Sequence, residues 1–162
     1  MATVKNDRMN TIEPLETAIF AGGCFWHMED AFQKLDGVSH VYSGYTGGTM
    51  EDPTYLKVVS HVSDHIEAIE IHFNPNMITY DELLGNFWDN SNLSESVIFY
   101  TSNKQRELAE ASRNARAKRI NKPVPTRITS ATTFYMAEEE HQNYYQKNGL
   151  AACLIKDWRL GK

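Results

Sequence analysis

Hydrophobic and polar positions change their period several times along the chain, and each change marks an element. Thr17-Ala18-Ile19-Phe20-Ala21 is a short apolar run, the pattern of a buried strand. Gly22-Gly23 breaks it. Over residues 24–35, Phe25, Met28, Phe32 and Leu35 recur at the spacing of one helix face. Residues 38–45 alternate like a strand and end at Gly47-Gly48. A loop holding Asp52-Pro53-Thr54-Tyr55 leads to a short helical turn, and residues 66–73 alternate again. Residues 79–88 read as a helix with a Thr79/Glu82 capping box and Leu83, Leu84, Phe87 and Trp88 inward. A short strand over 96–100, a long polar helix over 103–119, a strand over 126–129 and a last helix over 137–147 complete the pattern.

Helices and strands thus alternate without strict βα units, which predicts an α/β (α+β) two-layer sandwich of helices on a mixed sheet. With 162 residues and no internal repeat, a single domain is expected, with 1–15 a polar lead and 148–162 a C-terminal tail. Apolar residues make up 41%, enough for a core and too many for a disordered or collagen-like chain. The net charge of −5 gives no general pull toward nucleic acid or an anionic membrane. Neither a signal-peptide core nor a membrane-length apolar run is visible, so a cytoplasmic, reducing location is expected. A monomer is expected.

The cysteines change the picture. Cys24 and Cys153 are the only two, too few for a disulfide framework or, alone, a structural zinc. In a reducing compartment they read as catalytic or redox-active. Cys24 follows a strand and two glycines and opens a helix, where unpaired N–H groups and the dipole favour thiolate. The same place also suits a small buried apolar cysteine. Trp26 lies off the apolar stripe, in register with Glu29, Asp30 and Gln33; it reads as an apolar wall for a ligand or as a ring covered by a neighbouring loop. Glu67 shares a strand face with Ile69, Ile71 and Phe73, so its carboxyl is either desolvated and able to hold a proton or turned to solvent at the rim. Thiolate, aromatic wall and protonated carboxyl together suit attack on a sulfoxide sulfur, whose oxygen needs protons to leave.

Gly22-Gly23-Cys24-Phe25-Trp26, Gly44-Tyr45-Thr46-Gly47-Gly48, Asp52-Pro53-Thr54-Tyr55 and Asp64-His65-Ile66-Glu67 occur in that order. Phe73-Asn74-Pro75, Tyr80-Asp81-Glu82-Leu83-Leu84, Phe87-Trp88, Ala137-Glu138-Glu139-Glu140-His141-Gln142 and Lys147-Asn148 follow. This series, over roughly residues 17–153, closely resembles the peptide methionine sulfoxide reductase A family. The resemblance implies a ferredoxin-like fold and reduction of methionine-S-sulfoxide, free or in peptides, without metal or organic cofactor. It implies Cys24 as nucleophile passing through a sulfenic acid, Glu67 as acid, and Tyr55 as a phenol bonded to the sulfoxide oxygen. Phe25 and Trp26 are then the pocket for the substrate methyl, with His65 beside them on the substrate side. Cys153 is the candidate resolving thiol, and thioredoxin or a small thiol the reductant.

Three departures accompany the resemblance. Only residues 89–96 separate Trp88 from Val97, where the family has a longer loop bearing an Asp and a second Tyr; Ser94 falls near that Tyr. His27 stands where the family has Gly, and reads as a surface histidine. The stretch Leu150-Ala151-Ala152-Cys153-Leu154-Ile155 is apolar where family tails are Gly-rich, which leaves Cys153 open to a core reading. The short loop motivates a second hypothesis, a weakened paralogue that binds oxidised methionine peptides or a partner without efficient turnover. A zinc site from Cys24, His27, His61 and His65 is a third. The basic residues Arg113, Arg116, Lys118, Arg119 and Lys122 read as a solvated helix end, and His141 as a satisfied structural histidine.

Overall fold

The computed structural model describes residues 14–149. In chain order these form β1 (Glu16–Ala21), α1 (Phe25–Gln33), β2 (Val38–Thr46), α2 (Tyr55–Val59), β3 (Ile66–Phe73) and α3 (Tyr80–Asn90). Strand β4 (Val97–Tyr100), helix α4 (Asn103–Ile120), β5 (Arg127–Ser130), β6 (Tyr135–Met136) and α5 (Tyr144–Asn148) follow. The six strands form one mixed sheet in the order β5-β4-β1-β3-β2-β6.

Strand β3 lies between β1 and β2 and runs antiparallel to both. β1 and β2 are therefore parallel, with α1 as their crossover and β3 inserted between them. β3 and β4 repeat the arrangement around β1, with α3 as crossover. Two interleaved split βαβ units make the ferredoxin-like core. β5 extends it parallel to β4 through α4, and β6 adds two residues to the outer edge of β2.

Successive residues of the central strands are buried on opposite faces of the sheet. Ala18, Phe20, Ile69, Ile71, Phe73 and Ile98 face the helices and meet Phe25, Met28, Phe32, Leu83, Leu84 and Phe87. Ile19, Ala21, Ala68, Val97 and Phe99 face the other way, where Ala131 and Phe134 pack on them. Phe20 lies 4.9 Å from Phe87 and 5.7 Å from Phe32, centroid to centroid, tying both main helices to the central strand. The predicted capping box is present: Thr79 accepts from the Glu82 amide, and Glu82 accepts from the Thr79 amide. Two of the basic side chains of α4 have local partners, Arg113 on the Thr126 carbonyl at 3.1 Å and Arg116 on Asp89 at 3.5 Å.

The last expected helix is corrected. Residues 137–147 do not form one helix; β6 is followed by a 3-10 turn at Glu139–His141, and helix resumes only in α5. Gln142 provides the physical reason. Its side-chain carbonyl accepts from the Ser43 amide at 3.0 Å, and its amide donates to the Ser43 and Ala137 carbonyls at 2.8 and 3.0 Å. That carboxamide completes the edge of β2 where a strand residue would stand. Asn143 then turns the chain in a left-handed conformation, φ 54°.

Candidate active site

Cys24 occupies the N-cap of α1, just beyond the end of β1. The turn between them depends on both glycines. Gly23 has φ +98°, and a Cβ on Gly22 would stand 2.7 Å from the Ser91 Cβ. The loop after α3 is held against this turn, since the Asn92 amide donates to the Gly22 carbonyl at 2.9 Å. The short loop thereby brings Asn92 and Glu95 beside Gly23, in the region where the expected Asp and second Tyr are missing.

Glu67 is half-buried on β3, on the face expected for it, and its Oε1 accepts the Phe25 amide hydrogen at 3.1 Å. Phe25 is the first residue of α1, so this carboxylate sits against the positive end of the helix that Cys24 caps. Directly across the ladder from Glu67 stands Tyr45 of β2. Its buried ring packs 5.8 Å from Phe25, and its hydroxyl donates to Glu138 Oε1 at 2.6 Å. Burial and then that hydrogen bond hold the Tyr45 hydroxyl well above its ordinary pKa, so it stays protonated. The second oxygen of Glu138 accepts the Tyr55 amide at 3.0 Å, the first N–H of α2. Although burial works against it, these bonds from Tyr45 and Tyr55 hold the Glu138 carboxyl below the usual range.

Of the two readings of Trp26, a wall for a ligand or a ring covered by a neighbouring segment, the structure shows the covered ring, set in an aromatic cluster. Tyr55 stacks on His141 at 4.2 Å and lies 6.2 Å from both Phe25 and Trp26. Trp26 is only 6% exposed. Its ring lies on Tyr144 at 3.7 Å and 5°, and its Nε1–H donates to His141 Nδ1 at 3.3 Å. The polar face of α1 is thus covered by the chain after β6, and Glu29 on that face is 1% exposed. His27, read as a surface residue, is half-buried 6.4 Å from the Tyr145 ring.

His65 has a different setting. Its Nδ1 accepts the Gly48 amide hydrogen at 3.0 Å, which leaves the proton on Nε2 to bond the Met50 carbonyl at 2.7 Å. The ring stands edge-on to Tyr135 and fastens the 48–50 turn. Among the described residues, no three of His, Cys, Asp and Glu come together as a metal site. No described helix is long and apolar enough to cross a membrane. Cys153 lies outside the described residues.

Tyr45 and Glu138 stand in runs that carry the resemblance but were assigned no role from the sequence, and His141 has the bonded, packed setting of a structural histidine. Strand parity from Val41 would have turned Tyr45 inward, but nothing local joins Glu138 to residues more than eighty positions earlier.

A cysteine at a helix start, with an acid, a phenol and an aromatic wall around it, has the layout of a cysteine-based oxidoreductase. Comparison with known proteins agrees. A family model described as peptide methionine sulfoxide reductase matches residues 16–159. The peptide methionine sulfoxide reductase MsrA of Leuconostoc mesenteroides is 44% identical over 161 residues, covering 90% of this chain and 94% of that protein. That of Ligilactobacillus salivarius is also 44% identical, covering 82% and 86%. Among solved structures, Mxr1 of Saccharomyces cerevisiae in reduced form matches with a TM-score of 0.76 at 25% identity, over 85% of this chain and 87% of that one. Methionine sulfoxide reductase A of Corynebacterium diphtheriae matches with a TM-score of 0.74 at 26% identity, over 85% and 76%. The yeast protein is also solved in complex with Trx2 (TM-score 0.61, 22% identity, over 81% and 85%), a likeness of fold. The chain belongs to the peptide methionine sulfoxide reductase family.

Proposed function

We propose that the protein reduces the S epimer of methionine sulfoxide to methionine, in peptides and as the free amino acid, with Cys24 as nucleophile. The observation that carries this reading is the Glu67 carboxylate on the Phe25 amide, at the start of the helix that Cys24 caps. Thiolate at Cys24 attacks the sulfoxide sulfur while the oxygen takes a proton from Glu67 and a hydrogen bond from the Tyr55 hydroxyl. That attack forms a bond between the two sulfurs, and a second proton releases the sulfoxide oxygen as water. A water then attacks the Cys24 sulfur, breaking the sulfur–sulfur bond, freeing methionine and a proton and leaving Cys24 as the sulfenic acid. Phe25 and Trp26 are the pocket for the substrate methyl once the Tyr144 ring that lies on Trp26 moves aside, and His65 acts from one remove by holding the 48–50 turn.

In the second half-reaction the Cys153 thiolate attacks the sulfenic sulfur. An S–S bond forms, the S–O bond breaks, and the oxygen departs as water after taking up a proton. A thioredoxin then reduces the disulfide; the yeast relative's complex with Trx2 supports this choice of reductant. The protein works as a monomer in a reducing cytoplasm. No observation favours binding without turnover.

The test is turnover of a methionine-S-sulfoxide peptide by the full chain with thioredoxin, thioredoxin reductase and NADPH. Activity lost in Cys24→Ser supports the reading; activity equal to the parent's in that variant overturns it.

A further inference from the structure

Glu29 takes no part in the chemistry above, yet it is a carboxylate buried to 1% exposure. A buried carboxylate is costly unless its bonds serve something. Oε1 accepts the Asn143 amide hydrogen at 2.8 Å, and Oε2 is buried with no hydrogen-bond partner. Burial pushes its pKa up to about 7, against the opposing effect of the Asn143 and Tyr144 amides.

The residues one turn to either side face the same segment. Trp26 bonds His141 and stacks on Tyr144. Gln33 donates to Asn143 Oδ1 at 2.6 Å. Trp26, Glu29 and Gln33 thus form a strip along α1 on which residues 141–144 are fastened, with Glu29 at its centre and the left-handed Asn143 as the point held. The chain leaving this strip reaches Cys153 nine residues after Tyr144.

We propose that Glu29 is a positioning residue for the second half-reaction: by fixing residues 141–144 on α1 it sets where the chain carrying Cys153 departs, and so the effective concentration of that thiol at Cys24. The inference rests on the reading of Cys24 as nucleophile and Cys153 as resolving thiol. Tethered reactions depend on where the tether begins, whereas His141 keeps its own bond to Trp26 and its stacking on Tyr55 without Glu29, whose bond is to Asn143.

The experiment is a single turnover of the full chain with excess methionine-S-sulfoxide peptide and no reductant, timing sulfide release and Cys24–Cys153 disulfide formation separately. In Glu29→Ala, sulfide release stays within about twofold of the parent, and disulfide formation slows about tenfold, the worth of one buried hydrogen bond. Glu29→Gln, whose carbonyl still accepts from Asn143, recovers most of the rate. Gln33→Ala, at a half-buried position that disturbs the fold less, slows the disulfide step about threefold and provides the result if Glu29→Ala fails to fold. Equal slowing of both steps, or an unchanged disulfide step, overturns the inference and leaves the Cys153 reading intact. A parent that releases sulfide but forms no disulfide overturns the Cys153 reading and the inference with it.

Discussion

The Glu67 carboxylate accepts the amide hydrogen of Phe25 at 3.1 Å, so the proposed acid and the helix that Cys24 caps are joined by one bond. That bond separates two functions of the same side chain. Glutamine at 67 keeps a carbonyl oxygen for Phe25 but cannot deliver a proton. In Glu67→Gln, kcat/KM should fall on the order of 10²–10⁴, the usual worth of a placed general acid. Thermal stability should fall only by what a charge at a helix end contributes, ~0.3–1 kcal/mol. Parallel steady-state kinetics and thermal denaturation check the pair of outcomes.

Tyr45 and Glu138 act behind Tyr55. In Tyr45→Phe, Glu138 Oε1 loses its donor, and stability should drop by ~1–3 kcal/mol. In Glu138→Gln, one of the two donors, the Tyr45 hydroxyl or the Tyr55 amide, faces an NH₂ group instead of an acceptor. Tyr55 then sits less firmly, and kcat should fall about tenfold or more in both variants. Denaturant unfolding read beside kcat distinguishes this from simple destabilisation, because kcat stays low at temperatures where the variants are fully folded.

Stability should depend on pH through two carboxylates of opposite sign. Glu29 is raised from 4.5 to about 7, so the folded protein holds its proton where the unfolded chain has lost it. The groups acting on it are Asp30 on its own helix, Lys147 of α5 and the Asn143 and Tyr144 amides. Its contribution is full below about pH 4.5 and is lost as pH rises through 7, with a slope of at most ~1.4 kcal/mol per unit. Asp64, lowered from 3.8 to about 2 by the Thr49 amide and hydroxyl, contributes above pH 3.8 and loses that contribution as pH falls through 2. Urea titrations from pH 4.5 to 7.5 should show the Glu29 slope in the parent and not in Glu29→Gln.

Thr79 lies in the capping box of α3, and its hydroxyl bonds only within that box. Thr79→Ala should lower stability by ~1 kcal/mol with kcat/KM unchanged. This variant is the control against which losses of activity in the site variants are read.

Most of the frame was legible because strands and helices bury residues at fixed periods. Alternation along β3 placed Glu67 on the core face, and the break at Gly22-Gly23 placed Cys24 at a helix start. What covers the polar face of α1 was not legible, for a physical reason. A helical stripe records only what its own residues prefer, whereas Trp26 and Glu29 are covered by a segment more than 110 residues further on. The same distance hid Glu138, which reaches Tyr45 across 93 positions. The last helix failed because Gln142 spends its carboxamide on Ser43 and Ala137, an opportunity that exists only once β2 and β6 are in place.

The central claim is that Cys24 removes the oxygen from a methionine sulfoxide. The most direct measurement is the methionine formed per protein in the first turnover, without reductant, from a methionine-S-sulfoxide peptide. The account predicts one equivalent from the parent and from Cys153→Ser, and none from Cys24→Ser. A full equivalent from Cys24→Ser, or none from the parent, would contradict it.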